Sequence, residues 1–236
     1  VEECFYGAVM AFNWAERYQG PVMLLSEHSL AERAQNIRKP DLATVPIEDR
    51  VRYTGNNGYL RYESRELSPF PSPGGPGSYI ANGSEHDVFG DTTHLAKYHI
   101  HMTERRFSKL ALLEDGDYEA ENTNAKIAVM PWGGSKGSVR EALDFLVAEG
   151  IDLSWYYTMY ISPLPAKMLK ELKSKDLVIV PELNFQGQMA MHLRSQGVKA
   201  EAITQYTGLP FGPSELAGRI KLLLAGIGQP TGAINV

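Results

Sequence analysis

The chain has 236 residues, 43% hydrophobic and 22% charged, which is enough for one large domain or two small ones with a real core. A formal net charge of −5 leaves no basic block to neutralise phosphates, which excludes a nucleic-acid scaffold. No apolar run approaches the roughly 18 residues of a membrane span, and the lone cysteine, Cys4, excludes an internal disulfide framework and suits a reducing, cytoplasmic compartment. The opening residues carry no signal-peptide pattern, and the first of them is Val1 rather than Met.

Residues 2–19 read as a helix. Phe5, Ala8, Val9 and Phe12 recur at the i, i+3, i+4, i+7 spacing, Glu2 and Glu3 suit the positive helix start, and Gly20-Pro21 ends it. Val22-Met23-Leu24-Leu25 then reads as a short buried strand, followed by a polar turn and a short helix from Ser29 to Asn36. A lone helix–strand pair is unstable. The strand therefore joins the later sheet or pairs with sequence preceding residue 1, and the second is the expectation, since a helix beginning at residue 2 looks like a cut.

From Pro40 to Asn124 the pattern changes. Val51–Tyr53 and Tyr59–Tyr62 flank Thr54–Gly58 in the manner of a β-hairpin. The run Ser68–Gly77, with prolines at 69, 71, 73 and 76, can be neither helix nor strand interior and points to a functional loop or contact surface. Residues 92–113 form the next expected helix, with Leu95, Tyr98, Met102 and Leu110 on its apolar side.

After Lys126 strands and helices alternate. Strands are expected at 127–130, 153–160, 177–180 and 200–205, and helices at 135–149, 165–173, 187–195 and 213–224, with Gly150 and Gly197 closing two of the helices. These are βαβ units, which require an open parallel sheet with both faces covered.

Several clusters could carry chemistry. Gly133–Ser138 lies between a strand and a helix, where backbone amides can hold a phosphate, but it fits no phosphate-binding pattern and equally suits a tight turn. His94, His99 and His101 invite a metal, yet residues 99 and 101 sit about 200° apart on a helix, so no metal site is expected. Cys4 has no placed base and reads as a small buried thiol. Glu85, His86 and Asp87 form the densest set of acid–base groups, in an irregular loop where a histidine between two carboxylates would hold its proton more firmly. Glu182 and Asn184 follow a buried strand, at the sheet end where open α/β folds place ligands, although they could equally close the turn and cap the next helix.

Several stretches taken in order resemble the alpha subunit of 2-oxoacid:ferredoxin oxidoreductases, especially the 2-oxoglutarate type. They are Glu3-Cys-Phe-Tyr, Ala11-Phe-Asn, Ala15-Glu-Arg-Tyr-Gln, Pro21-Val-Met-Leu-Leu-Ser, Ser68-Pro, Glu85-His-Asp with Gly90, Arg105-Arg with Lys109-Leu, Gly133-Gly-Ser, Glu182-Leu-Asn with Gly187-Gln, and Gly208 with Pro210-Phe. The resemblance implies that residues 1–40 are the tail of a thiamine-diphosphate pyrimidine-binding-type domain. Residues 41–124 would be a connecting region, and 125–236 a domain like the C-terminal domain of transketolases. It implies oxidative decarboxylation of a 2-oxoacid to an acyl-CoA, with a beta subunit, coenzyme A and ferredoxin as partners. Thiamine diphosphate with Mg, and an iron–sulfur cluster, would belong to the complete enzyme, because one cysteine cannot ligate a cluster. The family's Tyr-Pro-Ile-Thr-Pro and Thr-Ser-Gly-Pro-Gly motifs are missing here, so the chain alone is expected to be inactive and to bind none of these cofactors. Phe70 also stands where the family usually has arginine after Ser-Pro. The other reading is a non-catalytic α/β module that binds a protein partner or small ligand through the loop of residues 65–92.

Overall fold

A computed structural model describes residues 1–56, 58–65 and 67–226. They form two units: residues 1–25 with 33–114, and residues 26–32 with 115 onward.

In the first unit, α1 (Glu2–Tyr18) ends on Gln19 in the left-handed conformation. Asn13 is buried inside it; its amide donates to Pro46 O (2.8 Å) and its carbonyl accepts from Glu48 N (2.9 Å), fixing the chain that crosses the helix. The second helix of this unit, α3 (Ala96–Ser108), runs directly into a 3-10 turn, Lys109–Leu113. It starts later than the apolar pattern suggests because Thr92 is bridged to His86, and Thr93 N donates to Glu85 O.

Four local expectations fail in the first 114 residues. Residues 22–25 are not a strand: no described strand pairs with them, and Met23, Leu24 and Leu25 are 85%, 57% and 69% exposed. An apolar run without a ladder partner has nothing to hold it extended and buried. The helix expected over 29–36 shrinks to one turn, α2 (His28–Ala31). The hairpin is replaced by a different pairing, in which Tyr53 N donates to Phe70 O (2.9 Å) and Phe70 N donates to Val51 O (2.8 Å). Phe70 stands between Pro69 and Pro71, so its amide is the one donor that stretch can offer, and Val51 takes it. Cys4, expected to be buried, is exposed.

The second unit is the α/β sheet read from the sequence. Its strands are β1 (Glu119–Glu121), β2 (Ile127–Val129), β3 (Ser154–Tyr157), β4 (Leu177–Glu182) and β5 (Ala200–Thr204), in the order β1-β3-β2-β4-β5. β2 to β5 are mutually parallel, and β1 runs antiparallel along β3. Side chains alternate as a two-residue period demands. Val129, Trp155 and Ile179 face α4 (Lys136–Ala148) and α7 (Pro213–Leu224). Ala128, Tyr156, Val178 and Val180 face α5 (Ala166–Lys173) and α6 (Gln188–Ser195). Gly150 and Gly197 do close α4 and α6, each at positive φ, with Ile151 N returning to Leu146 O and Val198 N to Leu193 O.

The three-residue β1 carries no hydrophobic pattern, and sequence reading passed over it. It is held by charge: Glu119 accepts from Lys136 Nζ (2.7 Å) and Trp155 Nε1 (3.1 Å), and Glu121 from Arg140 (2.8 Å). Such a short, charged edge strand also discourages pairing with another chain.

At the amino ends of the strands lies Lys175, 4% exposed, whose Nζ donates to Thr123 O (2.5 Å), Ala125 O (2.8 Å) and Ser154 Oγ (3.1 Å). Burial lowers its pKa. Lys175→Met should cost about 2–4 kcal/mol in urea unfolding, because it strands buried acceptors. Since the folded state gives up this proton before the unfolded chain does, Lys175's contribution in the parent should increase as pH rises toward the ordinary lysine value, a dependence the variant should lack.

Candidate functional site

Two places were marked by sequence, and each unit holds one of them. In the first unit, Glu85, His86 and Asp87 share a loop but point to different tasks. Glu85 is drawn to α3, where one carboxylate oxygen pairs with His99 Nδ1 and the other with Arg106 Nη2 (2.6 Å). The hydrogen bond from His99, then Arg106, holds its carboxyl below the usual carboxylate range. Asp87 shapes the turn: Oδ1 accepts from Phe89 N (2.9 Å) and Asp91 N (3.2 Å), and its carbonyl accepts from Gly90 N (3.1 Å). Gly90 sits at φ +93°, where a Cβ would lie 2.3 Å from Ile80 O, so only glycine fits.

His86 is 8% exposed and packs against Tyr62, with ring centroids 4.2 Å apart and planes tilted by 51°. Its Nδ1 meets Asp87 O at 2.8 Å, which makes that nitrogen the donor and leaves Nε2 without a described protein partner. The expected histidine between two carboxylates is not formed, because neighbours along an extended backbone point to opposite sides and the flanking carboxylates are engaged elsewhere. The other histidines also disperse, His99 to Glu85 and His101 Nε2 to Tyr62 O (2.9 Å). Among the described residues no three His, Cys, Asp or Glu side chains are grouped to hold a metal.

In the second unit the carboxyl ends of β2 and β4 flank the point where successive crossovers leave in opposite directions. Glu182, wholly buried, fills it. Its Oε2 accepts from Trp132 Nε1 (3.2 Å), Asn184 Nδ2 (2.8 Å) and Met189 N (2.8 Å), and Oε1 accepts from Ala190 N (2.9 Å). Asn184 Oδ1 in turn accepts from Gly187 N (2.7 Å) and Gln188 N (3.3 Å). Together they satisfy the first amides of α6, which has no capping side chain at its own first position, Gly187. This geometry gives both residues to the fold. A carboxylate ending a strand a few residues before an uncapped helix was the signal available in sequence.

The glycine run after β2 is a 3-10 turn, Gly133–Ser135, with Ser135 Oγ donating to Trp132 O (2.8 Å). Its outer side is already taken by an acid, since a Cβ on Gly134 would fall 1.8 Å from Glu27 Oε1.

Glu182→Gln should lower stability by about 2–4 kcal/mol, because an amide NH2 must then face a backbone or indole N–H. Gly187→Ala should also destabilise: φ is +67° and the new Cβ would meet that of Ala202 at 2.7 Å. Thermal or urea unfolding of each variant against the parent measures both effects.

No protein-family model matches the chain. It is 31% identical to the alpha subunit of 2-oxoacid:ferredoxin oxidoreductase 2 from Aeropyrum pernix, over 94% of this chain and 37% of that one. It is 30% identical to the 2-oxoglutarate oxidoreductase subunit KorA of Mycobacterium tuberculosis, over 95% of this chain and 35% of that one. Among solved structures it matches a chain of the 2-oxoglutarate:ferredoxin oxidoreductase from Magnetococcus marinus, determined with 2-oxoglutarate, coenzyme A and succinyl-CoA bound. The TM-score is 0.85 and the identity 34%, covering 93% of this chain and 40% of that one. The chain thus spans a little over a third of the length of these curated relatives. By sequence and fold together, nearly the whole chain is similar to part of the 2-oxoacid:ferredoxin oxidoreductase alpha subunits.

Proposed function

We propose that this chain works as part of the alpha subunit of a cytoplasmic 2-oxoacid:ferredoxin oxidoreductase. The complete enzyme would decarboxylate a 2-oxoacid, with 2-oxoglutarate the first candidate, form the acyl-CoA and pass electrons to ferredoxin. The observation that carries this reading is similarity along nearly the whole chain, in sequence and in fold, to subunits bearing that name. It also disfavours the reading as a stand-alone binding module.

The chemistry of such an enzyme resides in thiamine diphosphate with its metal and in an iron–sulfur cluster. The described residues do not fit either group. They offer no clustered metal ligands, and Cys4 is a single thiol where a cluster needs several. Those groups would therefore sit in other parts of the complete enzyme, including a beta subunit.

What this chain is proposed to contribute is position. The loop of Glu85, His86 and Asp87 is stiffened by its own turn and tied to α3, and it presents one buried imidazole with a spare nitrogen. A preorganised loop of this kind suits the active-site side or the partner surface of the assembled enzyme.

Carboxyl-labelled 2-oxoglutarate supplied to the complete complex should lose its label as carbon dioxide only when coenzyme A and an electron acceptor are present. Absence of release from 2-oxoglutarate, pyruvate and other 2-oxoacids alike contradicts the reading. In the same assay His86→Ala and Asp87→Asn should each lower turnover roughly tenfold or more with assembly unchanged on gel filtration. Unaltered turnover in both would leave the loop a solvated turn. The isolated chain should show no micromolar binding of thiamine diphosphate by titration calorimetry.

A further inference from the structure

Three cations in the first unit have no described anion beside them. Arg61 is 7% exposed; its Nη1 donates to Ser68 O (3.0 Å) and Pro69 O (3.4 Å), and its Nη2 to Gln19 Oε1 (3.0 Å). Its guanidinium lies 3.9 Å from the ring centre of Phe70 and 4.9 Å from that of Tyr79. Arg105, 6% exposed, donates from Nε to Ser64 O (2.9 Å) and from Nη2 to Arg61 O (3.3 Å). Lys109, half-buried where α3 gives way to the 3-10 turn, donates from Nζ to Gln19 O (3.1 Å).

Every acceptor in this set is a carbonyl, on the backbone or on the Gln19 side chain. Carbonyls solvate a cation but do not cancel its charge, and here, unlike at the single Lys175, several cations lie close enough to repel one another. Glu85 is engaged by Arg106 and His99. The two arginines are pinned by carbonyls and aromatic faces, so they set up a fixed positive field. Lys109 differs: among the described residues one of its three N–H groups has an acceptor, Gln19 O.

We propose that Arg61, Arg105 and Lys109 form a binding site for a small anionic group, a carboxylate or a phosphate, with Lys109 as the residue that contacts it. The site stands apart from the proposed enzymatic role and does not depend on it. Burial first, then Arg105, Arg61 and Arg106, bring the pKa of Lys109 down to about 8. The groups facing it are those arginines and, from α1, the Tyr18 ring at 5.7 Å. An anion bound there would relieve the crowding of like charge and hold the lysine protonated.

The test is titration calorimetry of the full chain with inorganic phosphate and, separately, with succinate, each at an ionic strength matched with chloride. One saturable site is expected at pH 7. Succinate is fully ionised from pH 7 to pH 9, so any weakening across that range reports the protein, and at least a fivefold loss is expected as Lys109 deprotonates. Lys109→Gln should weaken binding tenfold or more, and Lys109→Arg should restore it. Tighter binding of phosphate names a phosphoryl group as the natural ligand, and tighter binding of succinate a carboxylate. Heats no larger than those of chloride for both probes, or equal affinity in parent and Lys109→Gln, overturn the proposal. Should Lys109→Gln fail to fold, the parent's pH dependence with succinate decides: affinity constant from pH 7 to pH 9 overturns it.

Discussion

One buried carboxylate organises the carboxyl end of the sheet. Glu182 ends β4 facing inward, and its two oxygens take four donors from three segments: the indole of Trp132, the Asn184 amide and two backbone amides of α6. A carboxylate with no contact to water is costly unless each lone pair finds a donor, and here the first turn of a helix supplies donors that also need acceptors. The helix N-terminus adds its positive end to the same interaction. Remove the charge and α6, the turn after β2 and the end of β4 lose their common anchor. The left-handed Gly187 follows from this, because α6 must start close against β5, with Ala202 and Thr204 leaving no space for a side chain.

Lys175 plays the matching part at the other end of the sheet. It gathers Thr123 O, Ala125 O and Ser154 Oγ, groups that precede or begin β2 and β3, so the strand starts are fixed by one ammonium as the strand ends are by one carboxylate. Between the two lie the alternating layers of aliphatic and aromatic side chains. Each charge is buried, and each is satisfied by fixed oxygen or N–H partners rather than by an opposite charge.

The parallel sheet was legible because its signals are local and repeated: continuous Val/Ile runs, helices between them, and Gly150 and Gly197 at the helix ends. β1 was not, since Glu119-Ala-Glu121 has no hydrophobic period and is held by side chains distant in sequence. The first unit resisted for the same reason. Its pairings, Phe70 with Val51 and Tyr53, Asn13 with Pro46 and Glu48, and Arg105 with Ser64, join residues whose partners no short window of sequence contains. Val22–Leu25 has the composition of a strand but no ladder partner among the described residues, and it lies exposed. Glu182 and Asn184 were identifiable as a pair at a strand end. Their task as a helix cap became visible only with the amides of α6 in place. Glu85, His86 and Asp87 are together in the loop, as the sequence requires, and His86 Nε2 has no partner among the described residues.

The functional reading joins a fold shared with a 2-oxoglutarate:ferredoxin oxidoreductase chain to a local architecture that spends its buried charges on rigidity. Rigid scaffolds position chemistry supplied by cofactors, and a subunit of this family would act in that way. The most direct test counts electrons. With the complete complex, oxidised ferredoxin, coenzyme A and 2-oxoglutarate, oxidative decarboxylation releases two electrons for each acyl-CoA formed. The account predicts two one-electron equivalents of reduced ferredoxin per succinyl-CoA, and none when coenzyme A is omitted. Acyl-CoA formation without ferredoxin reduction, or no product from any 2-oxoacid offered, would contradict it.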